Sequence, residues 1–407
     1  MNTFKFLFID EQKKKHYADR IINDPILVIN DDYVMSILKQ LGISNITHCH
    51  ITIAANNMAL IIKDYTVTKS IHINGFFNTG SYISMLQSID VDLYITGQQI
   101  KHLQADCKNI IVANCKVEQF EIGLFKRFEP KQNRDVFDLF KADSVDIRDA
   151  EINVFDIFAE CKRVSFERSR VKEIMFQSGM LTKSAVFDTI HIWYNTTIDK
   201  ITISNKVNHL KIANSRINWL HAHPTLYIEQ LEVEKSIVDD CYGFGKSSFS
   251  MPSSDSWLWI GKSAQNALDS QLRAEASYEF LRSSSKSAKG VDKFLGKIFD
   301  FCAGYGYKPI RILRTSGLII LASAMIYSVI DLIALLNRRS IIFSWTELTK
   351  AIIHIWDNIL LSAASIVGQG YLCTTDGIAY WITVLEALLG VVLFATFVNA
   401  LYLRYKD

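Results

Sequence analysis

Six consecutive residues near the end of the chain combine small or uncharged side chains with two glycines: Ser365, Ile366, Val367, Gly368, Gln369 and Gly370. They end a mostly apolar segment, residues 345–371, that lies between two long apolar stretches. Irregular backbone at membrane depth is tolerated only where it is buried in protein or lines water. A helix followed by a glycine-containing loop between two membrane spans is typical of ion-selective pores. The chemistry expected of this run is therefore ion binding.

The two apolar stretches cover residues 316–336 and 381–403. Each is long enough to cross the hydrocarbon core of a bilayer, which takes about 20 apolar residues in a helix. Basic residues precede the first stretch (Lys293, Lys297, Lys308, Arg311 and Arg314) and follow the second (Arg404 and Lys406). Positive flanks favour the cytoplasmic side. We therefore expect a multi-pass protein of the cell (inner or plasma) membrane with both termini in the cytoplasm, although Arg338 and Arg339 argue weakly against this orientation.

The first 300 or so residues have the composition of a soluble protein, and the start of the chain lacks the apolar core of a secretory signal peptide. The net charge of +2 does not favour nucleic acid as a partner. Seven cysteines are scattered without a CxxC pair, which is typical of a reducing compartment rather than of a disulfide framework or zinc site.

From about residue 46 to 240 the sequence repeats one pattern about every 20 residues: an apolar doublet, a small polar turn and further apolar residues. The doublets are Ile51/Ile53, Ile71/Ile73, Leu93/Ile95, Ile110/Val112, Val145/Ile147, Val164/Phe166, Ile190/Ile192, Leu210/Ile212 and Leu231/Val233. Alternation with a period of two predicts strands, and the repeat predicts stacked coils. We therefore expect a cytoplasmic parallel β-solenoid, with residues 1–45 as an N-terminal cap and residues 124–142 as an insertion.

Residues 241–310 are expected to link the solenoid to the membrane. Their Gly- and Ser-rich start predicts a linker, and residues 264–281 predict one helix with an apolar face. A second amphipathic segment, residues 291–301, places Phe294, Leu295 and Ile298 opposite its lysines. It fits either a helix lying along the inner membrane surface or a helix packed between subunits.

The C-terminal third, from about residue 270 to 407, resembles the bacterial two-transmembrane potassium-channel family. The resemblance is carried by residues 385–395, Leu-Glu-Ala-Leu-Leu-Gly-Val-Val-Leu-Phe-Ala, and by residues 304–309, Gly-Tyr-Gly-Tyr-Lys-Pro. The second motif resembles the junction in family members with an N-terminal pentapeptide-like repeat domain. The resemblance implies a pore domain at residues 311–407 that consists of two spanning helices and a re-entrant pore loop.

In that family a Thr-Val-Gly-Tyr-Gly filter stacks backbone carbonyls that replace the water shell of the ion. The resemblance aligns this filter with Ile366, Val367, Gly368, Gln369 and Gly370. The two glycines are kept, but Ile366 replaces the threonine and Gln369 replaces the bracing tyrosine. Cation conduction is therefore expected, with K⁺ or other monovalent cations as the permeant ions, while K⁺ selectivity is in doubt.

Three further residues are candidates for supporting this pore. Trp356, in the predicted pore helix 346–363, is expected to pack in an aromatic collar around the filter. Glu386 is an ionisable group inside a spanning helix, which by default suggests function. It is expected either to form hydrogen bonds behind the filter or to face the subunit seam in protonated form. Gly390 fits either a gating hinge or a close helix–helix contact, and Asp331 is expected to snorkel to the membrane surface.

Other motifs carry weaker signals. Gly245-Lys246-Ser247 and Gly261-Lys262-Ser263 resemble the end of a phosphate-binding loop but lack its first glycine. His48/His50 and His221/His223 each share a strand face, where solvation is far commoner than metal binding. No catalytic residues are identified, so the chain is not expected to be an enzyme, and no metal site or cofactor is expected.

The fold expected is thus multidomain: a β-solenoid, linker helices and an all-α pore domain. The function expected is a homotetrameric cation channel regulated through its solenoid, which would bind a protein or small-molecule ligand. Two alternatives stay open. One is an effector that depolarises its own cell through a nonselective pore, for example in anti-phage defence; the other is a non-conducting, membrane-anchored scaffold.

Overall fold

The computed structural model describes residues 2–54, 56–75, 82–89, 91–123, 141–176, 186–337, 345–367 and 377–405. The chain forms two compact units, Met1–Ala267 and Leu268–Asp407. The first unit is dominated by β-strands, whereas the second consists of helices and includes the two long apolar ones. The predicted insertion at residues 124–142 lies almost entirely outside the described residues.

The first unit contains two sheets, A and B, and from β3 onward successive strands of the chain alternate between them. Sheet A has the spatial order β2-β1-β4-β6-β8-β10-β12-β14-β16-β18-β20. Its strands are β1 (Asn2–Asp10), β2 (Lys15–Ile22), β4 (Ile46–Ala54), β6 (Ser70–Gly75), β8 (Asp92–Thr96), β10 (Asn109–Ala113), β12 (Lys141–Arg148), β14 (Glu160–Glu167), β16 (Val186–Trp193), β18 (Lys206–Ala213) and β20 (Tyr227–Glu234).

Sheet B has the order β21-β19-β17-β15-β13-β11-β9-β7-β5-β3. Its strands are β3 (Ile26–Ile29), β5 (Asn56–Ile62), β7 (Tyr82–Ile89), β9 (Gln99–Asp106), β11 (Lys116–Ile122), β13 (Glu151–Ile157), β15 (Arg170–Phe176), β17 (Thr197–Ile203), β19 (Arg216–Ala222) and β21 (Ile237–Tyr242). From β4 onward every strand pairs in parallel with the equivalent strand of the next coil. The predicted parallel β-solenoid is confirmed.

The repeated apolar doublets explain this architecture. They all lie on sheet A, in matched register: Ile71 pairs with Leu93 and Val145 with Val164. All doublets except the last, Leu231/Val233, are fully buried between the two sheets. No coil has enough apolar surface to fold alone, so stacking creates the core.

The predicted polar turns are the corners between sheet A and sheet B. Their first residues have φ angles between 47° and 51°: Asn114, Asp149, Arg168 and Asn214. Their second residues are small and buried: Cys115, Ala150, Ser169 and Ser215. A left-handed residue turns the chain sharply, and asparagine and aspartate tolerate this conformation better than most residues. These corners therefore need no glycine.

Both ends of the solenoid are covered by packed elements. At the start, β1 pairs in antiparallel fashion with β2 and β4, and the helix α1 (Asp31–Gln40) buries Val34, Ile37 and Leu38. At the end, the Gly- and Ser-rich stretch is not a free linker. Trp259, on the helix α2 (Ser254–Asn266), packs 5.5 Å from the ring of Phe244, and both side chains are buried.

The second unit contains the helices α3 (Ser270–Ser287), α4 (Gly290–Ala303), α5 (Pro309–Asn337), α6 (Trp345–Ile366) and α7 (Gly377–Tyr405). The prediction of a single helix over residues 264–281 is wrong. The chain leaves helical conformation at Leu268, whose φ angle is 58°, and the Asp269 side chain accepts a hydrogen bond from the Leu272 backbone N–H to cap α3. This cap stabilises a new helix start in place of continuation.

Among the residues that the structure describes, two helices are long and apolar enough to span a membrane: Pro309–Asp331, with a mean hydropathy of 1.7, and Gly377–Tyr402, with 2.2. Both begin earlier than the sequence predicted. Along α5, exposed apolar side chains include Leu321, Met325 and Val329, and along α7 they include Leu385, Leu388 and Val392. Surfaces of this kind require lipid or other helices around them.

Candidate functional site

The six residues of the candidate filter begin inside a helix. Ser365 and Ile366 form the last turn of α6, and Val367 follows in a turn with 76% of its side-chain surface exposed. The Ser365 hydroxyl is buried and donates to the Leu361 carbonyl oxygen at 2.8 Å. Gly368, Gln369 and Gly370 lie outside the described residues. The described geometry therefore concerns the helix that presents this run, rather than the run itself.

Glu386 joins three helices. Its carboxylate on α7 accepts a hydrogen bond from the Tyr327 hydroxyl on α5 at 2.7 Å and from the Ser362 hydroxyl on α6 at 2.5 Å. All three side chains are at least 97% buried. Each carboxylate oxygen thus has its own hydroxyl donor, which offsets part of the cost of removing the group from water. Glu386 contacts the helix directly before the candidate filter.

A second polar contact lies one helical turn before Ser362 on α6. The Asn358 side-chain amide donates to Asp331 Oδ2 at 2.9 Å and to Ser328 Oγ at 3.2 Å, both on α5. Asn358 is 8% exposed. Asp331 therefore has a partner on α6, whereas the sequence suggested only that it would snorkel. Together with Glu386, these contacts attach α6 to α5 along one face.

At Gly390, α7 comes very close to the end of α6. A Cβ atom at this position would lie 1.9 Å from the backbone carbonyl oxygen of Ile366. No side chain fits this space without displacement of the helix end. This geometry is the close helix–helix contact that was one of the two interpretations of Gly390; the hinge stays a prediction.

Trp356 is not packed within the chain, since 62% of its surface is exposed. It shares this exposure with Ile353 and Leu360, which lie three and four residues away on the same face of α6. An aromatic collar around the filter would have to form with neighbouring subunits.

Sequence reasoning identified Glu386 but missed its partners Tyr327 and Ser362, and it missed Asn358. A usable signal was present, because Asn358, Ser362 and Ser365 recur at helical spacing within the otherwise apolar residues 358–366. Polar residues on one stripe of a membrane helix are a sign of a protein-facing side.

The solenoid offers a shallow groove rather than an enclosed cavity. The groove has a volume of about 410 Å³ and runs across four successive corners. Four of its charged groups form ion pairs: Arg168 with Asp149 at 2.7 Å, and Lys116 with Glu151 at 3.1 Å. A ligand binding there would have to compete with these ion pairs.

Residues of the weaker motifs make contacts within the fold. Lys262 donates to the carbonyl oxygens of Val238 and Asp239, so it fastens α2 to the last coil. His50 stacks on His72 at 4.4 Å between ring centroids, and His72 on Tyr94 at 4.5 Å, across the outer face of sheet A. Within the described ranges, no group of three or more His, Cys, Asp or Glu side chains is arranged to hold a metal ion.

Comparison of the chain with protein-family models, with curated proteins and with solved structures gave no match.

Proposed function

We propose that the protein is a homotetrameric cation channel of the potassium-channel type, with an atypical Val-Gly-Gln-Gly filter. One chain contributes a single pore loop, which is a quarter of a filter, so four chains around a closed four-fold axis are needed. The helices α5 and α7 span the membrane in this proposal, and α6 with the following loop enters it from outside. Both termini and the solenoid lie in the cytoplasm of a bacterial-type cell.

The observation that carries the proposal is the buried contact of Glu386 with Tyr327 and Ser362. A pore helix must be held in place within the membrane, since its last turn sets the position of the filter backbone. Polar side chains inside a bilayer find partners in protein rather than in lipid. A carboxylate that connects α6 to both long apolar helices meets this requirement.

Two residues determine the kind of channel that we propose. Ile366 has no hydroxyl to complete an innermost ion site, and Gln369 replaces the ring that would brace the filter. We therefore expect a pore that conducts monovalent cations with weak preference for K⁺. Weak selectivity is also what a depolarising effector would require, so this alternative is tested by the same experiment.

The test is the reversal potential of the purified protein in planar bilayers under opposed K⁺ and Na⁺ gradients. Current that reverses near zero supports the weakly selective pore and, if induced expression also kills cells, the effector. Reversal near the K⁺ equilibrium potential would mean a selective channel and would contradict the argument from Ile366 and Gln369.

Gly368→Ala provides the matched test of the filter, with Gly317→Ala on α5 as control, since a Cβ atom at Gly317 meets no atom within 4 Å. We expect Gly368→Ala to abolish the current and Gly317→Ala to keep it. Silence of the wild type, persisting after removal of residues 1–267, would contradict the channel and favour the scaffold.

A further inference from the structure

The C-terminal end of α4 is capped by side chains of α5. Arg311 donates to the Asp300 carbonyl oxygen at 2.6 Å, Arg314 to that of Phe301 at 3.3 Å, and Thr315 to that of Cys302 at 2.8 Å. The last carbonyls of a helix have no partner within it and carry its negative dipole end. Two cationic side chains and one hydroxyl thus fix the end of α4 to the start of a spanning helix.

The Asp300 carboxylate extends this attachment to α3. It accepts a hydrogen bond from the Tyr278 hydroxyl at 2.8 Å and from Arg311 Nη1 at 2.5 Å, and Arg282 Nε lies 3.8 Å from its second oxygen. Tyr278 is 98% buried, and Lys308 Nζ lies 4.6 Å from the centre of its ring. A charged acceptor with a tyrosine and two arginines around it makes stronger hydrogen bonds than a neutral pair would.

A second contact between α3 and α4 lies at Gly296, away from the C-terminal end of α4. A Cβ atom at Gly296 on α4 would lie 2.7 Å from Ser285 Cβ on α3. The Tyr305 hydroxyl lies 2.6 Å from Ser285 Oγ and 2.9 Å from the Gly296 carbonyl oxygen. The helices α3 and α4 are therefore joined at two separate points along their length.

The end of α4 also packs on α7. Ala303 of α4, Ile312 of α5 and Ala400 of α7 form one buried cluster, against which Leu393 and Phe397 pack. The Cβ position of Gly306, just after α4, is 3.9 Å from Thr396 Cγ2. The last third of α7 thus rests on the element that Asp300 binds to α3.

From these contacts we propose that Asp300 is the centre of a clamp that transmits displacement of α3 to the C-terminal third of α7. The coupling between α3 and α7 does not depend on the proposed function. Its effect on gating does rest on that function: the clamp would set how readily α7 moves to open the pore. Because the α4 end is hydrogen-bonded to α3 and α5 and its Ala303 packs in one cluster with Ala400 of α7, a shift of α3 is expected to strain the packing around Ala400.

The first experiment does not depend on conduction. Hydrogen exchange is measured on the full-length protein in nanodiscs, for wild type, Asp300→Asn and the control Asp292→Asn. Asp292 is an exposed carboxylate on the same helix. We expect Asp300→Asn to speed exchange about tenfold both in α3 and in residues 393–402 of α7, because a charged hydrogen-bond centre is lost. The control should change neither.

Faster exchange in α3 and α4 with α7 unchanged would overturn the clamp. Tyr278→Phe covers the case in which Asp300→Asn does not fold, since it removes a hydroxyl and keeps the buried ring. In the double variant Tyr278→Phe/Asp300→Asn, hydrogen exchange in α7 should be no faster than in Asp300→Asn alone if the two residues act as a single coupled unit. Additive effects would contradict it.

The second experiment measures current through the same variants. We expect Asp300→Asn to change the open probability about tenfold and to leave the reversal potential unaltered, because the filter is not touched. An unchanged open probability together with a changed α7 exchange would overturn the gating role. If the wild type carries no current and stays silent after removal of residues 1–267, the proposed function fails while the exchange experiment still decides the clamp.

Discussion

Glu386 accepts hydrogen bonds from two buried hydroxyl groups on two different helices, Tyr327 on α5 and Ser362 on α6. We expect Glu386→Leu to lower the free energy of unfolding by about 3 kcal/mol, because two buried donors lose their acceptor. Glu386→Gln keeps one acceptor oxygen and should cost about 1 kcal/mol. Thermal unfolding in nanodiscs measures both.

Ser362→Ala and Ser365→Ala form the matched pair for this prediction, since both hydroxyls are buried but only that of Ser362 reaches Glu386. We expect the larger loss from Ser362→Ala. Equal losses would indicate that the contact with Glu386 contributes nothing beyond ordinary burial.

Gly390 allows a direct choice between a close contact and a hinge. Gly390→Ala places a methyl group within 1.9 Å of the Ile366 carbonyl oxygen, so we expect it to destabilise the helical unit by at least about 2 kcal/mol. Gly317→Ala, where the space is open, should be neutral or stabilising by up to about 1 kcal/mol. A Gly390→Ala protein that folds with wild-type stability but gates differently would instead support the hinge.

The corner elements of the solenoid contain residues in left-handed conformation, and Lys235, with φ 48°, is one that gains nothing from a short polar side chain. We expect Lys235→Gly to raise stability by about 0.5–1 kcal/mol, because glycine has no Cβ penalty there. Asn214→Gly should be nearly neutral, since asparagine tolerates the conformation. Urea unfolding of a fragment of residues 1–267 measures the change, and a loss of stability with Lys235→Gly would contradict the argument.

The outer face of sheet A makes stability depend on pH through its stacked rings. Burial, together with repulsion from His50 and His48, lowers the pKa of His72 to about 4, and the rings of His50 and Tyr94 pack on it. An unfolded imidazole takes up its proton near pH 6.5. The stabilising contribution of the neutral ring is therefore fully present above pH 6.5 and is lost as the pH falls toward 4.

We expect His72→Gln to reduce the loss of solenoid stability between pH 6.5 and 4. His221→Gln, at an exposed position on sheet B, is the control and should leave the pH dependence as it is. Stability curves against pH that coincide for wild type and His72→Gln would show that the stack does not resist protonation.

At the scale of the whole molecule, the first compact unit ends at Ala267, after α2, rather than near residue 240 where the repeat ends. We expect a fragment of residues 1–267 to fold cooperatively as a soluble protein. A fragment of residues 1–240 lacks Phe244, Phe249 and Trp259, so it exposes the last coil and should aggregate or unfold at lower denaturant concentration. Size-exclusion chromatography and urea unfolding distinguish the two, and equal behaviour would contradict a capping role for α2.

The predictability of the fold differs between its two units. The doublets predicted the sheet A strands and the polar turns predicted the corners, because both signals repeat with every coil. The break at Leu268 could not be predicted from apolar spacing, since spacing continues across it and only the cap by Asp269 ends the pattern. At the candidate site, Glu386 was identified from its type alone, while its partners were not.

The sequence by itself determined that the chain has stacked coils and two helices of membrane-spanning length, because periodicity and hydropathy are local properties of consecutive residues. The tertiary structure alone decided that Tyr327 meets Glu386 across 59 positions of sequence, that Asp331 meets Asn358, and that Gly390 meets the end of α6. Such contacts depend on how three helices pack against one another. The polar stripe of α6 indicates which of its faces contacts protein, but the residues that meet this face are fixed only once the helices are assembled.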